Sequence, residues 1–347
     1  MLKGEELKRY SRQVILPEIG INGQEKLKNA KVLMIGAGGL GCPVLQYLVA
    51  AGVGEIGIVD DDVVDISNLH RQILYGVNDV GGLKAVIAKQ KLALLNPHTF
   101  ITAYPVRFTS ANAESICGAY DLVIDGSDNF GTRYLVNDAC VALNKPLVFG
   151  SIFKFEGHVS VFNHQDGPDY RDIFPEAPPS DEVPNCAEIG VLGVLPGIIG
   201  TYMANEAIKI ICGIGEALSG KFMTINALDN TTNIFKVGKQ KKEGKVADAI
   251  PIPTIPQEIT MDQLNSWLNE TADEIYLVDV REMYEFEDYN IGGINIPLYE
   301  LKEHIDELPQ DRKLIFCCQT GQRSKMAIQL LKPLYKGEMY SLKNGVV

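Results

Sequence analysis

Two stretches of this sequence carry residue types that do chemistry. In the first, Gly36, Gly38 and Gly41 form G-x-G-x-x-G, with Gly39 beside them, between an apolar strand and a helix. Glycines there let the backbone turn tightly and approach a phosphate, and the helix N-terminus then faces it. Asp60 ends the next apolar strand, where an acid can hydrogen-bond a ribose hydroxyl. These features alone suit a nicotinamide-dependent dehydrogenase equally well. The following residues separate the two readings: SNLHRQ at 67–72 supplies Asn68, Arg71 and Gln72, Lys84 opens a helix, and Asp128 follows the strand DLVID. Hydride transfer has little use for extra cations and a carboxylate around phosphates. Cleavage of ATP does, because cations stabilise charge developing on the phosphates and an acid can hold Mg²⁺. The second stretch is 317-CCQTGQRS-324, two adjacent cysteines before a short polar turn.

The elements that must position these residues follow a regular rhythm. KVLMI, EIGIV and DLVID read as strands, and CPVLQYLVAAG, LKAVIAKQKLALLN and FGTRYLVNDACVALN read as helices. PLVFGSIFKFEGHVSVFN reads as two further strands, completing the pattern of a doubly wound α/β sheet. DGPDYRDIFPEAPPSDEVPN is polar and proline-dense and reads as a loop. The expected organisation is one domain over 1–236, a basic then proline-rich linker over 237–258, and a small α/β domain over 259–347.

Length and composition agree with this division. A chain of 347 residues exceeds what one core usually supports. The net charge of −12 argues against nucleic acid as a partner. Residues 1–12 lack the apolar stretch of a signal peptide, and the apolar run 189–203 is too short for the ~20 residues that span a bilayer, so no membrane partner is expected. Seven cysteines in no regular framework indicate free thiols in a reducing cytoplasm. Cys42, Cys117, Cys140 and Cys212 read as core packing.

RYSRQVILPEIG, VLMIGAGGLGC, AAGVGEIGIVDDDVVDISNLHRQ, GSDN and GHVSVF together resemble the MoeB/ThiF/HesA family, bacterial relatives of the ubiquitin-activating enzymes, over roughly 7–235. The resemblance implies a Rossmann-like sheet of the ubiquitin-activating type. It also implies ATP-dependent adenylation of the C-terminal glycine of a small ubiquitin-like protein. Asp60 would bind ribose, Asn68, Arg71, Gln72 and Lys84 would line the phosphates, and Asp128 would hold Mg²⁺. Arg12 would reach across a homodimer into the partner's site. Many members also hold a structural zinc with two C-x-x-C pairs. Here Asp169 and Asp172 stand where the first pair is expected, and 236–248 contains no cysteine, so no zinc is expected. Cys186 matches a cysteine on a crossover loop that in some members links covalently to the partner, and a helix N-terminus would lower its pKa.

VDVREMYEFE, INIPL and CQTGQRSKMA resemble the rhodanese, or sulfur-transfer, fold over roughly 259–347. Cys318 then heads C-x-x-G-x-R-S. Loop amides, the helix dipole and Arg323 would face its sulfur and stabilise first a thiolate, then a persulfide. A rival count starts from Cys317 and gives C-x5-R, the spacing of cysteine phosphatases. The Gly321 spacing and the fused activating domain favour Cys318. Joined, the two resemblances imply a carrier ending in Gly-Gly (MoaD/ThiS-like) that is adenylated and then attacked by a persulfide on Cys318. The sulfur comes from a donor such as a cysteine desulfurase or thiosulfate, for molybdopterin, thiamine or tRNA thiolation. Two alternatives remain at this stage: an NAD-binding oxidoreductase fused to a phosphatase-like domain, and a non-catalytic sulfur-carrier scaffold.

Overall fold

The computed structural model describes residues 2, 4–176, 190–239, 257–301, 303–332 and 334–346, which fall into two compact units. In the first unit, eight strands form one sheet in the order β3-β2-β1-β4-β5-β6-β7-β8. The strands are β1 (Lys31–Ile35), β2 (Glu55–Val59), β3 (Phe100–Tyr104), β4 (Leu122–Asp125), β5 (Leu147–Phe153), β6 (Glu156–Phe162), β7 (Lys221–Asn226) and β8 (Thr231–Lys236). Strands β1 to β5 run parallel, and β6 to β8 continue antiparallel. The central strands are apolar on both faces because helices cover both. All four residues of β4 are buried, as are the last four of β1.

Helices α1 (Gly41–Ala51), α2 (Lys84–Leu95), α3 (Ala113–Gly118), α4 (Phe130–Ala142) and α5 (Leu195–Cys212) pack on this sheet. One face buries Val32, Met34, Leu45, Ile56 and Met203, and the other buries Leu33, Val123, Tyr134 and Phe149. The apolar run 189–203 enters α5 at Leu195, and Leu195, Ile199 and Met203 are fully buried there. Among the described residues no helix is long and apolar enough to cross a membrane. The loop expected around 166–185 contains a four-residue helix, Tyr170–Ile173, because Asp169 and Asp172 cap it reciprocally. Asp172 N–H donates to Asp169 Oδ1 at 3.1 Å, and Asp169 N–H donates to Asp172 Oδ2 at 2.9 Å.

The second unit is a five-stranded parallel sheet ordered β11-β10-β12-β13-β9. Its strands are β9 (Gln257–Ile259), β10 (Ile275–Asp279), β11 (Ile294–Asn295), β12 (Lys313–Cys317) and β13 (Met339–Leu342). Helices α6 (Met261–Glu270), α7 (Met283–Asp288) and α8 (Gln322–Leu331) accompany them. β9 begins inside the stretch read as linker, where it pairs with β13. Three residues are too few for a periodicity signal, so only the sheet reveals them.

Candidate functional site

The first site forms where the sheet changes winding direction. After β1 the chain crosses towards β2 and β3, while β4 and β5 lie on the other side. The loops leaving β1 and β4 therefore diverge and open a cleft at the strands' carboxyl ends. A cleft of about 390 Å³ lies there, and Gly36, Gly38, Gly39, Asp60, Arg71, Gln72, Lys84 and Asp128 all line it. Gly36 has a positive φ of 87°, which a side chain would strain. Gly41 starts α1 so close to the loop that an added Cβ would sit 2.1 Å from the Gly36 carbonyl oxygen. The Gly-rich turn thus lies directly against the N-terminus of an 11-residue helix.

Each polar side chain is held by a local element. Asp60, just past β2, accepts hydrogen bonds from the amides of Ala37 (2.7 Å) and Asp62 (2.9 Å). Burial raises its pKa, and the Ala37 amide and the Lys84 charge oppose the rise. Lys84 begins α2. Its side chain is 7% exposed, and its ammonium reaches the more exposed Asp62 carboxylate at 2.8 Å. Arg71 donates to the Ser67 carbonyl at 3.1 Å and lies 2.8 Å from a His70 ring nitrogen. Burial and the Arg71 charge hold His70 below its usual range. Asn68 does not line the cleft; its side-chain oxygen accepts from the Asp65 amide at 3.2 Å and caps a short turn. Arg12 is exposed on the helix Ser11–Val14 and does not line its own chain's cleft.

The cleft also contains residues that sequence reasoning missed. Arg107 and Phe108 follow β3, a strand whose FITAY pattern gave no signal, and Ile152 lies on β5. Arg133 lines the cleft from α4. It is 9% exposed, stacks 4.9 Å from the Phe130 ring and donates to the Ser127 carbonyl. Asp125 ends β4 fully buried, with its pKa raised by burial and one carboxylate oxygen without a partner. Gln72 likewise keeps a buried side-chain oxygen unpaired. Buried polar atoms without partners are costly, and of these two only Gln72 lines the cleft, where a hydrogen-bond donor on a ligand would satisfy its oxygen. A nucleoside triphosphate suits the donor set: amides and cations for phosphates, and an acid for the sugar. Asp128 is the carboxylate that would hold a magnesium ion brought in with the nucleotide.

The second site is the loop after β12. Strand alternation sends the adjacent cysteines to different environments. Cys317 packs with Ile275, Leu277 and Ile315, while Cys318 packs with Val278, Phe316 and Ala327. Burial pushes the Cys317 thiol far up, and the neighbouring Asp279 charge pushes it further. Cys318, by contrast, accepts the Gly321 amide on its sulfur at 3.2 Å, and its sulfur lies 3.7 Å from the Ser324 hydroxyl. Gly321 has φ of 90° and caps α8, so its conformation aims the amide at the sulfur. Arg323, expected to face the sulfur, makes a two-pronged pair with Glu285 at 2.6 and 2.7 Å. No sequence spacing announces this partner, which comes from α7. Cys186 lies outside the described residues, as do 240–256 of the linker. Cys42, Cys117, Cys140 and Cys212 are buried free thiols.

A doubly wound sheet with a cleft lined by glycines, cations and acids, joined to a small parallel sheet presenting a cysteine loop, defines a nucleotide-binding activating unit coupled to a sulfur-handling one. The chain belongs to the ThiF family, whose model matches residues 10–246, and a rhodanese-like domain follows over 260–347. It is 43% identical over 367 residues to the probable adenylyltransferase/sulfurtransferase MoeZ of Mycobacterium tuberculosis, covering 100% of this chain and 93% of that one. It is 57% identical over 230 residues to the sulfur carrier protein adenylyltransferase of Thermus thermophilus, covering 65% of this chain and 85% of that one. The adenylyltransferase and sulfurtransferase MOCS3 of Culex quinquefasciatus is 37% identical over 374 residues, with 96% and 84% covered. Among solved structures, E. coli MccB with ATP shares the fold, with a TM-score of 0.59 at 23% identity, over 67% of this chain and 73% of that one. This chain is accordingly an adenylyltransferase joined to a sulfurtransferase.

Proposed function

We propose that the first unit adenylates the C-terminal glycine of a ubiquitin-like sulfur carrier ending in Gly-Gly, and that the second converts the adenylate to a thiocarboxylate. The observation that carries this reading is the company Cys318 keeps. One chain holds both a cleft lined by Lys84, Arg71 and Asp128 and a cysteine whose sulfur already accepts a loop amide. MgATP is the substrate of the first step. A glycine carboxylate oxygen attacks the α-phosphorus and pyrophosphate leaves. Gly36, Gly38 and Gly39 bring amides to the phosphates, Lys84 and Arg71 offset the developing charge, and Asp60 orients the ribose. No enzyme nucleophile is needed there.

In the second step the outer sulfur of a Cys318 persulfide attacks the acyl carbonyl. AMP leaves and an acyl disulfide forms. A thiol, from Cys186 or an external reductant, then attacks the Cys318 sulfur. The thiocarboxylate departs, leaving a disulfide on Cys318. The Gly321 amide supports this role by stabilising negative charge on the sulfur. The apolar groove formed by Pro43, Tyr47, Ile73, Leu95, Ile198 and Tyr202 supports a homodimer in which Arg12 serves the partner's cleft.

The test is intact mass spectrometry of a Gly-Gly-ending carrier incubated with the protein, MgATP and a sulfur donor. The expected result is replacement of one carrier oxygen by sulfur, lost with Cys318→Ala and kept with Cys317→Ala. AMP formation without that replacement in the wild type would overturn the second step. Absence of carrier-dependent pyrophosphate exchange would overturn the first.

A further inference from the structure

Arg71, one of the cations lining the cleft, is held by its own loop rather than by an acid. Its Nη1 donates to the Ser67 carbonyl at 3.1 Å and to His70 Nε2 at 2.8 Å. Nη1 carries two hydrogens, so both are taken by the protein. Among the described residues, Nε and Nη2 make no hydrogen bond and the guanidinium pairs with no carboxylate. Each side of the clamp is itself fixed. Ser67 is held by Asp65, whose carboxylate accepts from the Ser67 amide at 2.8 Å and from its hydroxyl at 2.6 Å. His70 lies against Gly193, where an added Cβ would sit 2.7 Å from the His70 carbonyl oxygen and 3.2 Å from Nδ1. The stem of Arg71 runs beside the Gly-rich turn: a Cβ added at Gly39 would lie 3.8 Å from Arg71 Cγ.

This clamp sets a condition on His70. Arginine has donors only and keeps its proton, so His70 Nε2 must be the acceptor and the ring must be neutral. A protonated imidazole has two donors and no acceptor, and would meet Arg71 as a second cation. Arg71 is the charged group that faces the ring from its own loop. The segment packed on the other side, 190–194 just ahead of α5, brings Gly193 and has no titratable side chain. The ring is exposed, so protons reach it from solvent. We propose that neutral His70 is a positioning residue: it holds Arg71 Nη1 so that the Nε–Nη2 edge meets a nucleotide phosphate, and protonation of the ring releases that hold. This rests on the adenylation reading above and adds a pH-dependent control to it. Two parallel N–H donors on one edge match two phosphate oxygens, and an arginine fixed in advance loses less freedom when it binds them. Because burial and the Arg71 charge keep His70 below its usual range, the hold is complete near neutral pH and is lost as pH falls through that lower value.

The experiment uses the full chain and measures carrier-dependent exchange of labelled pyrophosphate into ATP at saturating MgATP, from about pH 7.5 to about pH 5. Wild type is compared with His70→Gln and His70→Ala, with circular dichroism confirming that all three are folded at each pH. Glutamine offers a carbonyl acceptor that does not titrate, and alanine offers none. At about pH 7.5, His70→Ala should exchange about 10-fold more slowly than wild type, the weight of one hydrogen bond to a charged group, and His70→Gln should recover to within about 3-fold. By about pH 5 the wild-type advantage over His70→Ala should shrink at least about 2-fold, while that of His70→Gln over His70→Ala stays constant. Effects of pH on MgATP and pyrophosphate cancel in these ratios. A His70→Ala rate within about 3-fold of wild type at about pH 7.5, no recovery with His70→Gln, or a wild-type advantage unchanged to about pH 5 would overturn the role of His70 and leave adenylation intact. No exchange in wild type at any pH would overturn both.

Discussion

Gly41→Ala offers the sharpest test of how the cleft is built. An alanine Cβ at position 41 would lie 2.1 Å from the Gly36 carbonyl oxygen and 3.0 Å from its carbon. Ordinary carbon–oxygen contact is roughly 1 Å longer, so either the Gly-rich turn or the start of α1 must move by about that amount. The moving atoms are backbone, which no rotamer change can relieve. Overpacking of this kind costs about 1–3 kcal/mol of stability. A displacement of ~1 Å at a positioned reactive centre costs about 100-fold in rate. Carrier-dependent exchange of labelled pyrophosphate into ATP should therefore fall by about 100-fold, more than stability alone explains. Thermal unfolding of the same sample gives the stability component. Gly131→Ala is the matched control. Its added Cβ would meet only the Asn129 side-chain oxygen at an ordinary 3.7 Å, and it sits in α4, where alanine is favoured. If Gly41→Ala retained exchange within about 3-fold of the control, the close packing of turn on helix would not be what organises the phosphate site.

Three further outcomes follow from the same geometry. Lys84→Met should lower the pyrophosphate exchange rate by about 100-fold, because it removes a shielded cation from the cleft while Asp62, 70% exposed, resolvates easily. Nucleotide titration would check that binding is reduced much less. Cys317→Ala should destabilise the second unit by about 1 kcal/mol without abolishing carrier sulfuration, since it removes a buried sulfur from an apolar cluster. Chemical denaturation and the carrier assay read the two effects separately. The Glu285 carboxyl is depressed by Arg323, so its stabilising contribution is complete above the ordinary glutamate range and lost as pH falls through the lower folded value. Glu285→Gln should accordingly lower stability at pH 7 and flatten its acid-side decline. An equal decline in both proteins below about pH 4 would contradict the linkage.

Much of the candidate site was legible because its residues mark changes of secondary structure. Gly36, Asp60, Lys84 and Asp128 lie where strands end or helices begin, and hydrophobic periodicity locates those boundaries. The doubly wound sheet was readable for the same reason. Strands with weak or short patterns were not: β3, the β7–β8 hairpin and three-residue β9 contribute order and edges without a strong local signal. Arg133 escaped because it looks like one more residue of a helix, and Phe108 because it lies in the irregular segment after β3, until the cleft is assembled.

The sequence by itself determined which loops could meet a phosphate and which pair of cysteines could carry sulfur, because both depend on local spacing and backbone conformation. Motif spacing favoured Cys318 over Cys317, and the tertiary structure supplied the physical difference, since two neighbours in a chain differ in what packs against each face of the sheet. Only it joined Arg323 to Glu285, 38 residues apart in sequence. It also separated Asn68, which caps a turn, from Gln72, which lines the cleft. Partnerships of charge are made between elements that meet through folding, and no spacing within one element encodes them.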